Sequence, residues 1–321
     1  MNAWRVLTLF TVVGMAVWAG AESPSSRQAN PFLGESRTLY WECGFTVDAG
    51  AAPCNGRVTL LVPQSWEGQR VSLVTQEVVP SNIRVTSGKG KLTAVISGLP
   101  AGETARVRFR YEVTAYSWKK PSKPSRYVRP DVKNLPMSIK AYTKPDPFIV
   151  SAAPEIRRLA DETGADASCV WEELEEVYRQ VREKVAYQKG PLKGVLAALR
   201  EGSGDCEELS ALFVAICRAK KIPARTVWVP LEEIPGEYHC YAEFYLENKK
   251  GRGYWFPCQP AGDTALGELP QRYVVLQKGE VKNVVRDAET QRNENRPFLP
   301  VQMSVTAGQP SLSWMGGLVQ E

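Results

Sequence analysis

The segment that decides the fold runs from residue 202 to residue 225 and reads GSGDCEELSALFVAICRAKKIPAR. The stretch Gly202-Ser203-Gly204 interrupts a helical pattern, and Asp205 is a residue type that favours the N-cap of a helix. We therefore predict a helix that begins at Cys206 and ends near Lys220. Apolar residues occupy most of its faces, which indicates a helix buried at the centre of a domain.

The thiol of Cys206 lies in the first turn of this predicted helix. Unpaired backbone N–H groups and the positive end of the helix dipole favour the thiolate there, and the thiolate is the nucleophilic form of cysteine. The backbone N–H of Cys206 is expected to donate to an oxyanion. Cys217 lies about three turns further on, ~16 Å away, so an intact helix keeps the two thiols apart.

The only histidine of the chain, His239, begins the second informative region. One strand is predicted at His239–Leu246 and another at Tyr254–Pro260, with polar and glycine-containing residues between them. An antiparallel hairpin centred on Lys249 places His239 opposite Gln259, so that the imidazole meets a side-chain amide.

The same register pairs Cys240 with Cys258 on the opposite face of the hairpin. Of the seven cysteines, six remain when Cys206 is set aside as a nucleophile. A disulfide between Cys43 and Cys54 is the first pairing expected, and a cross-strand disulfide between Cys240 and Cys258 is the second.

Three ordered segments resemble the transglutaminase-like superfamily. They are GDCEELSALF at 204–213, extended by RA at 218–219 and IPAR at 222–225, then HCYAEFYL at 239–246 and WFPCQP at 255–260. The resemblance covers residues 153–267. It implies a papain-like α+β fold in which a Cys-His-Asp triad catalyses acyl transfer, and it assigns Cys206 and His239 to the first two positions.

Gln259 stands where the family usually has aspartate in a Trp-x-Pro-x-Asp-Pro pattern. An amide oxygen can accept the second N–H bond of an imidazolium, as the asparagine of papain-like proteases does, but it brings no negative charge. We therefore expect a weakened or differently tuned triad of Cys206, His239 and Gln259. Asp263 is a poorer candidate for the third position.

Two other kinds of site are disfavoured by the residues. A zinc site of Cys206, His239, Cys240 and Cys258 fits poorly, because adjacent strand residues point to opposite faces and no Cys-x-x-Cys pair is present. Acyl transfer requires no metal and no organic cofactor. The net charge is only +5, and the basic residues are dispersed, so no nucleic-acid partner is expected.

The first half of the chain has a different periodicity. Between residues 37 and 118, apolar and polar side chains alternate in short runs separated by turn-forming residues, most clearly at Ala105–Ala115. This pattern predicts an antiparallel β-sandwich, interpreted as a packing or spacer domain. The predicted fold class is therefore α+β, with an N-terminal antiparallel β-sandwich followed by a papain-like, transglutaminase-like α+β catalytic domain.

The remaining boundaries follow from composition. Residues 119–150 begin with a proline-rich, basic stretch and are predicted to be a linker. The catalytic domain is predicted at 151–267. Residues 268–321 are predicted to be a C-terminal extension that packs on the catalytic domain and ends in a loose tail.

The N-terminus has the pattern of an export signal. The uncharged run Val6–Ala19 is shorter than the ~20 residues of a membrane-spanning helix, and Ala19-Gly20-Ala21 fits a cleavage site. We predict a signal peptide at 1–21 and a flexible segment at 22–36. No later segment is apolar enough to span a bilayer. The mature protein is therefore expected to be secreted or periplasmic.

These observations predict an exported, cysteine-dependent enzyme that forms a thioester at Cys206 with a peptide or glutamine carboxamide. Water as acceptor would make it a protease or amidase, whereas a lysine amine would make it a crosslinking transglutaminase. The expected partner is a polypeptide, and a cell-envelope protein is one candidate. The alternative is a catalytically weakened or inactive transglutaminase-like module that binds polypeptide or cell-envelope material, and Gln259 is the feature that favours it.

Overall fold

The computed structural model describes residues 30–232, 234, 236–281, 283–286 and 293–320. The predicted signal peptide at 1–21 lies outside the described residues. From Phe32 onward the chain forms one compact unit, and its fold is α+β as predicted. The elements in chain order are β1 Leu33–Asp48, β2 Cys54–Leu61, β3 Gln69–Val79, β4 Arg84–Gly88, β5 Lys91–Leu99, β6 Thr104–Trp118, β7 Tyr127–Val128, α1 Met137–Lys140, α2 Pro154–Glu162, α3 Val170–Lys184, β8 Ala186–Tyr187, α4 Val195–Glu201, β9 Ser203–Gly204, α5 Cys206–Ala219, β10 Ala224–Pro230, β11 Tyr238–Asn248, β12 Gly253–Cys258, β13 Gln277–Lys278, β14 Asn283–Arg286, β15 Asn293–Arg296, β16 Val301–Ala307 and β17 Ser311–Val319.

The sandwich consists of two four-stranded antiparallel sheets. Their strand orders are β17-β1-β6-β3 and β16-β2-β5-β4. Strand β6 shows why the alternating pattern produces this fold, because its apolar positions point into the core while the residues between them face outward. All six apolar positions of the pattern are buried: Ala105, Val107, Phe109, Tyr111, Val113 and Ala115.

The last two strands complete the sandwich rather than the catalytic domain. Strand β16 pairs with β2 and strand β17 pairs with β1, so residues 301–319 of the predicted C-terminal extension belong to the sandwich. The earlier part of that extension does lie on the predicted catalytic domain, because β13 pairs with β10. Apolar side chains of both strands pack against the sandwich core, namely Met303, Leu312, Trp314 and Leu318. The pairing covers backbone groups of β1 and β2 that would otherwise form exposed sheet edges.

The predicted catalytic domain is built on a third antiparallel sheet. Its strand order is β12-β11-β10-β13, and β7 pairs with the far end of β11. The segment predicted as a linker therefore contributes β7 to this sheet. Helix α5 packs against β10 and β11, while α2, α3 and α4 pack against α5. No helix in the described ranges is long and apolar enough to cross a membrane.

Helix α5 is the buried central helix that its sequence predicted. It runs from Cys206 to Ala219, and twelve of its residues are buried, from Cys206 through Arg218. Its one buried cation, Arg218, lies near the C-terminal end. The guanidinium donates to the carbonyl oxygens of Ala224 and Lys144 and to the carboxylates of Asp146 and Glu280. These partners attach the end of the helix to three other segments.

Candidate active site

A capping box fixes the start of α5. The Asp205 carboxylate accepts the backbone N–H of Cys206 at 2.5 Å, and Glu208 Oε2 accepts the backbone N–H of Asp205 at 2.9 Å. This reciprocal arrangement satisfies N–H groups that have no partner within the helix. Gly204 is required for close packing here, because a Cβ atom at this position would lie 2.9 Å from the Cβ of Glu208.

Glu208 also ties the preceding loop to the helix start. Its other oxygen, Oε1, accepts the backbone N–H groups of Lys193 and Gly194 at 2.8 and 3.1 Å. The segment that leads into α4 is thereby held beside Cys206. Cys206 is therefore held rigidly, because it begins the buried helix α5 and because the loop before α4 is hydrogen-bonded to Glu208 in the same turn.

The backbone donors around the sulfur differ from the sequence-based expectation. The N–H of Cys206 is bonded to its own N-cap carboxylate, so it is not free to act as an oxyanion donor in this state. The backbone N–H of Cys240 points at the sulfur instead, with a distance of 3.4 Å from N to Sγ. Ser210 fixes this stretch of β11 by donating its hydroxyl to the Cys240 carbonyl oxygen at 3.0 Å.

The β11–β12 hairpin has its turn one residue later than predicted. Asn248 accepts two backbone N–H groups of the turn with its side chain, and Gly251 takes a positive φ of 77°. Ala242 therefore lies opposite Cys258. Moving the turn centre by one residue shifts the pairing by two residues, and a shift of two keeps every side chain on its predicted face.

His239 and Gln259 consequently meet although they are not directly opposite. The distance from His239 Nε2 to Gln259 Oε1 is 3.1 Å, which is the contact expected of a diagonal pair on one face of the sheet. His239 is also the residue next to Cys240, whose N–H points at the sulfur of Cys206. The imidazole is thus carried by the same short piece of β11 that contacts the sulfur of Cys206. No hydrogen bond joins them within the described part of the chain.

The predicted disulfides are absent, since all seven cysteines are free. The register shift explains the absence of the Cys240–Cys258 disulfide, because Cys258 pairs with Ala242 rather than with Cys240. In the sandwich, Cys43 on β1 and Cys54 on β2 lie in different sheets and are likewise both free. Neither predicted disulfide is present.

The Gln259 side chain is buried among three polar groups, with only 3% of its surface exposed. Its Oε1 accepts the hydroxyl of Tyr273 at 3.2 Å in addition to the His239 contact, and its Nε2 donates to Thr264 Oγ1 at 3.3 Å. Asp263, the other residue considered for this position, is exposed. Sequence reasoning missed Tyr273 and Thr264, because nothing in the local pattern of either residue links it to Gln259.

The electrostatics of the site favour uncharged groups. Burial raises the pKa of the Cys206 thiol above its ordinary value, and the Asp205 carboxylate raises it further. Burial lowers the pKa of His239, while the hydrogen bond to Gln259 acts in the opposite direction. Both directions favour a thiol and a neutral imidazole near neutral pH. This differs from the thiolate that the helix dipole alone would predict, because desolvation outweighs the dipole.

A groove of about 970 Å³ adjoins the start of α5. Glu207 lines it, but Cys206 and His239 are not among the described residues that do. Burial and the neighbouring carboxylates of Asp205 and Glu208 raise the pKa of Glu207 to about 7. The walls of the groove combine apolar and positively charged side chains. The apolar ones are Phe148, Val150, Leu196, Trp228 and Phe298, and the charged ones are Lys193, Arg200 and Arg296.

The same part of the chain offers little to a metal ion. Among the described residues, no group of three or more histidine, cysteine, aspartate or glutamate side chains could hold one. The groups around Cys206 instead combine a thiol, an imidazole and an amide, which are the parts of nucleophilic acyl transfer.

Comparison with known proteins identifies the domain that carries this site. Residues 157–260 match the sequence model of the transglutaminase-like superfamily. The chain therefore contains a transglutaminase-like domain, and the resemblance predicted from its sequence is confirmed. A search of curated proteins found no match.

Solved structures extend the comparison to the fold of nearly the whole chain. A candidate cysteine protease from Cytophaga hutchinsonii aligns with a TM-score of 0.59 at 16% identity, over 90% of this chain and 93% of that one. The periplasmic domain of TgpA from Pseudomonas aeruginosa, bound to ethylmercury, aligns with a TM-score of 0.34 at 17% identity, over 69% and 89% of the two chains. The first similarity shows that the two proteins share a fold, which by itself does not define an activity.

Proposed function

We propose that this protein is an exported, cysteine-dependent acyl-transfer enzyme that forms a thioester at Cys206. The observation that carries the proposal is the arrangement on β11, where the N–H of Cys240 contacts the sulfur and the adjacent His239 is bonded to Gln259. A nucleophile, a base and a group that orients the base are thereby attached to one rigid sheet and helix.

In the proposed reaction, His239 accepts the thiol proton as the sulfur of Cys206 attacks the carbonyl carbon and a C–S bond forms. The imidazolium then transfers this proton to the leaving nitrogen, so that ammonia or an amine departs and the thioester remains. Water or a second amine attacks the thioester and restores the thiol. Gln259 accepts the Nε2–H of the ring throughout, which leaves Nδ1 to move the proton.

The neutral resting forms of Cys206 and His239 determine when the thiol proton is transferred relative to the attack on the carbonyl carbon. Because the thiol is protonated and the imidazole is neutral, proton transfer accompanies the attack rather than preceding it. This differs from a resting thiolate–imidazolium pair, in which the nucleophile is already charged. We therefore expect turnover to decline as the pH falls through the lowered pKa of His239, since protonation removes the base.

The substrate we propose is a polypeptide, presented as a peptide bond or as a glutamine carboxamide. Support comes from the groove of about 970 Å³ beside the helix start, which mixes apolar with cationic walls. The export pattern of the N-terminal sequence supports a secreted or periplasmic location, where a cell-envelope protein would be an available partner.

The alternative proposal is a weakened or inactive module that binds polypeptide. Two observations favour it: the raised pKa of the Cys206 thiol, and an amide at position 259 where a charged carboxylate would stabilise the imidazolium. Both reduce the driving force for forming a charged nucleophile.

The experiment that separates these proposals supplies a glutamine-containing peptide with and without a primary amine. Release of ammonia, incorporation of the amine and cleavage of the peptide are measured together, with the intact mass of the protein. Ammonia release with amine incorporation identifies transamidation, release without incorporation an amidase, and cleavage a protease.

The controls are two variants of the site and one of a remote thiol. Cys206→Ala and His239→Ala should abolish the products. Cys169→Ser should retain them, because Cys169 is a partly exposed residue at the start of α3, where serine is a good N-cap. Products that persist in Cys206→Ala would refute the proposed nucleophile. Retained peptide binding without any product would support the binding module.

A further inference from the structure

An amide in place of a carboxylate creates a problem of orientation at position 259. A carboxylate presents only acceptor oxygens, whereas the glutamine amide has an acceptor end and a donor end. If the NH₂ group faced His239 Nε2, that nitrogen would have to be unprotonated and Nδ1 would carry the proton. The ring would then have no free base at Nδ1. A catalytically competent site with Gln259 therefore needs an interaction that keeps the amide oxygen, rather than the NH₂ group, facing His239 Nε2.

Tyr273 supplies a donor that only the oxygen end of the amide can satisfy. Its hydroxyl lies 3.2 Å from Gln259 Oε1, the same atom that contacts His239 Nε2 at 3.1 Å. Its ring also stacks on the imidazole, with centroids 5.9 Å apart and planes inclined by 27°. Tyr273 is thus in contact with both the ring and the group that orients it.

Arg272 sets the direction of the Tyr273 hydroxyl. Its guanidinium donates to the phenol oxygen at 2.9 Å, and a guanidinium can only donate. The phenol has a single hydrogen, which is then available for Gln259 Oε1. At the other end of the amide, Thr264 Oγ1 accepts from Nε2 at 3.3 Å. Both ends of the amide therefore have a partner, and because a threonine hydroxyl can donate or accept, the Tyr273 hydroxyl is the group that selects the orientation.

We propose that Tyr273, directed by Arg272, is a positioning residue that holds the oxygen of Gln259 toward His239, so that Nε2 carries the ring proton and Nδ1 is the base. This inference rests on the proposed function for its catalytic meaning, but the tautomer it specifies does not depend on turnover. It also gives a physical reason why glutamine can occupy the position that aspartate has in the family.

The single histidine of the chain allows a direct test. In protein labelled with ¹⁵N-histidine and purified without a histidine tag, a two-bond ¹H–¹⁵N spectrum above neutral pH reports which ring nitrogen is protonated. We expect the Nε2–H tautomer in the wild type. Tyr273→Phe should shift the tautomer ratio toward Nδ1–H by roughly five- to tenfold, the equivalent of one hydrogen bond.

Two further variants separate orientation from general damage. Tyr254→Phe removes a hydroxyl from a buried tyrosine of β12, in the sheet that carries His239, and should leave the ratio unchanged. Adding Gln259→Glu to Tyr273→Phe should restore Nε2–H, because a carboxylate has no donor end. Arg272→Met alters an exposed residue and should also shift the ratio toward Nδ1–H. It replaces Tyr273→Phe as the test if Tyr273→Phe does not fold.

An unchanged Nε2–H ratio in folded Tyr273→Phe, or in Arg272→Met where the first does not fold, would overturn the inference. So would a failure of Gln259→Glu to restore the ratio. If acyl transfer is found, Tyr273→Phe should lower kcat by roughly tenfold with little change in KM, since the hydroxyl is bonded to Gln259 and acts through His239. If Tyr273→Phe shifts the tautomer ratio as expected but the wild type shows no acyl transfer, the proposed function is refuted and this inference stands.

Discussion

Replacing Glu207 by glutamine should stabilise the protein above neutral pH far more than in weak acid. Burial raises the pKa of this carboxyl from its ordinary value of 4.5 to about 7, with further contributions from Asp205 and Glu208 and a smaller opposing one from Arg296. At pH 8 the folded state must therefore hold an ionised carboxylate where burial and two like charges oppose it. Glutamine has nearly the same shape and cannot ionise.

The sign follows from the number of bound protons. Between about pH 4.5 and pH 7 the folded state keeps a proton that the unfolded chain releases, so this group contributes stability in acid that is lost as the pH rises. The full rise in pKa corresponds to roughly 3 kcal/mol, and partial contact with solvent reduces it. We expect the gain from Glu207→Gln to be about 2 kcal/mol larger at pH 8 than at pH 5.

Urea unfolding of wild type and variant at both pH values measures this difference. His239 titrates in both proteins, so its contribution cancels. Glu77→Gln is the matched control, because Glu77 is exposed on β3, and it should change the free energy of unfolding equally at the two pH values. A Glu207→Gln effect that is independent of pH, or larger at pH 5, would show that the carboxyl is not held in a raised-pKa environment.

Three further predictions follow from other parts of the molecule. Alkylation of Cys206 should accelerate through and beyond the ordinary thiol range near pH 8.5, because its pKa is raised; a plateau already present at neutral pH would indicate a resting thiolate. Arg218→Met should lower the free energy of unfolding by about 3 kcal/mol or more, since it leaves the carboxylates of Asp146 and Glu280 without their buried cation; urea unfolding checks this, and a loss below 1 kcal/mol would contradict it. Removal of residues 301–321 should broaden thermal unfolding and promote aggregation by exposing the edges of β1 and β2, whereas unchanged cooperative unfolding would contradict the role given to these strands.

The sequence predicted those features that depend on local patterns. The alternating residues of β6 and the N-cap before α5 fix their elements through short-range geometry. The prediction that His239 and Gln259 lie on the same face of the hairpin is also correct, although the turn was predicted one residue too early. The true turn is set by the side chain of Asn248 and by Gly251, and its displacement changed the register by an even number of residues.

The errors and omissions concern contacts between distant segments. Nothing local in β16 and β17 shows that they pair with the first two strands, and no spacing links Tyr273 to Gln259. The resting charge of Cys206 was missed for a related reason. Its helix position is visible in the sequence, but the burial that raises its pKa appears only when the sheet and helices pack around it.

The most direct test of the central claim is to identify the residue acylated by an activated ester of a short peptide. Peptide mapping by mass spectrometry near pH 7.5 should find the acyl group on Cys206 through a thioester, and the rate should fall by about 100-fold or more in His239→Ala. Equal rates in the two proteins, or faster acylation of another cysteine, would contradict the assignment of Cys206 and His239 as nucleophile and base.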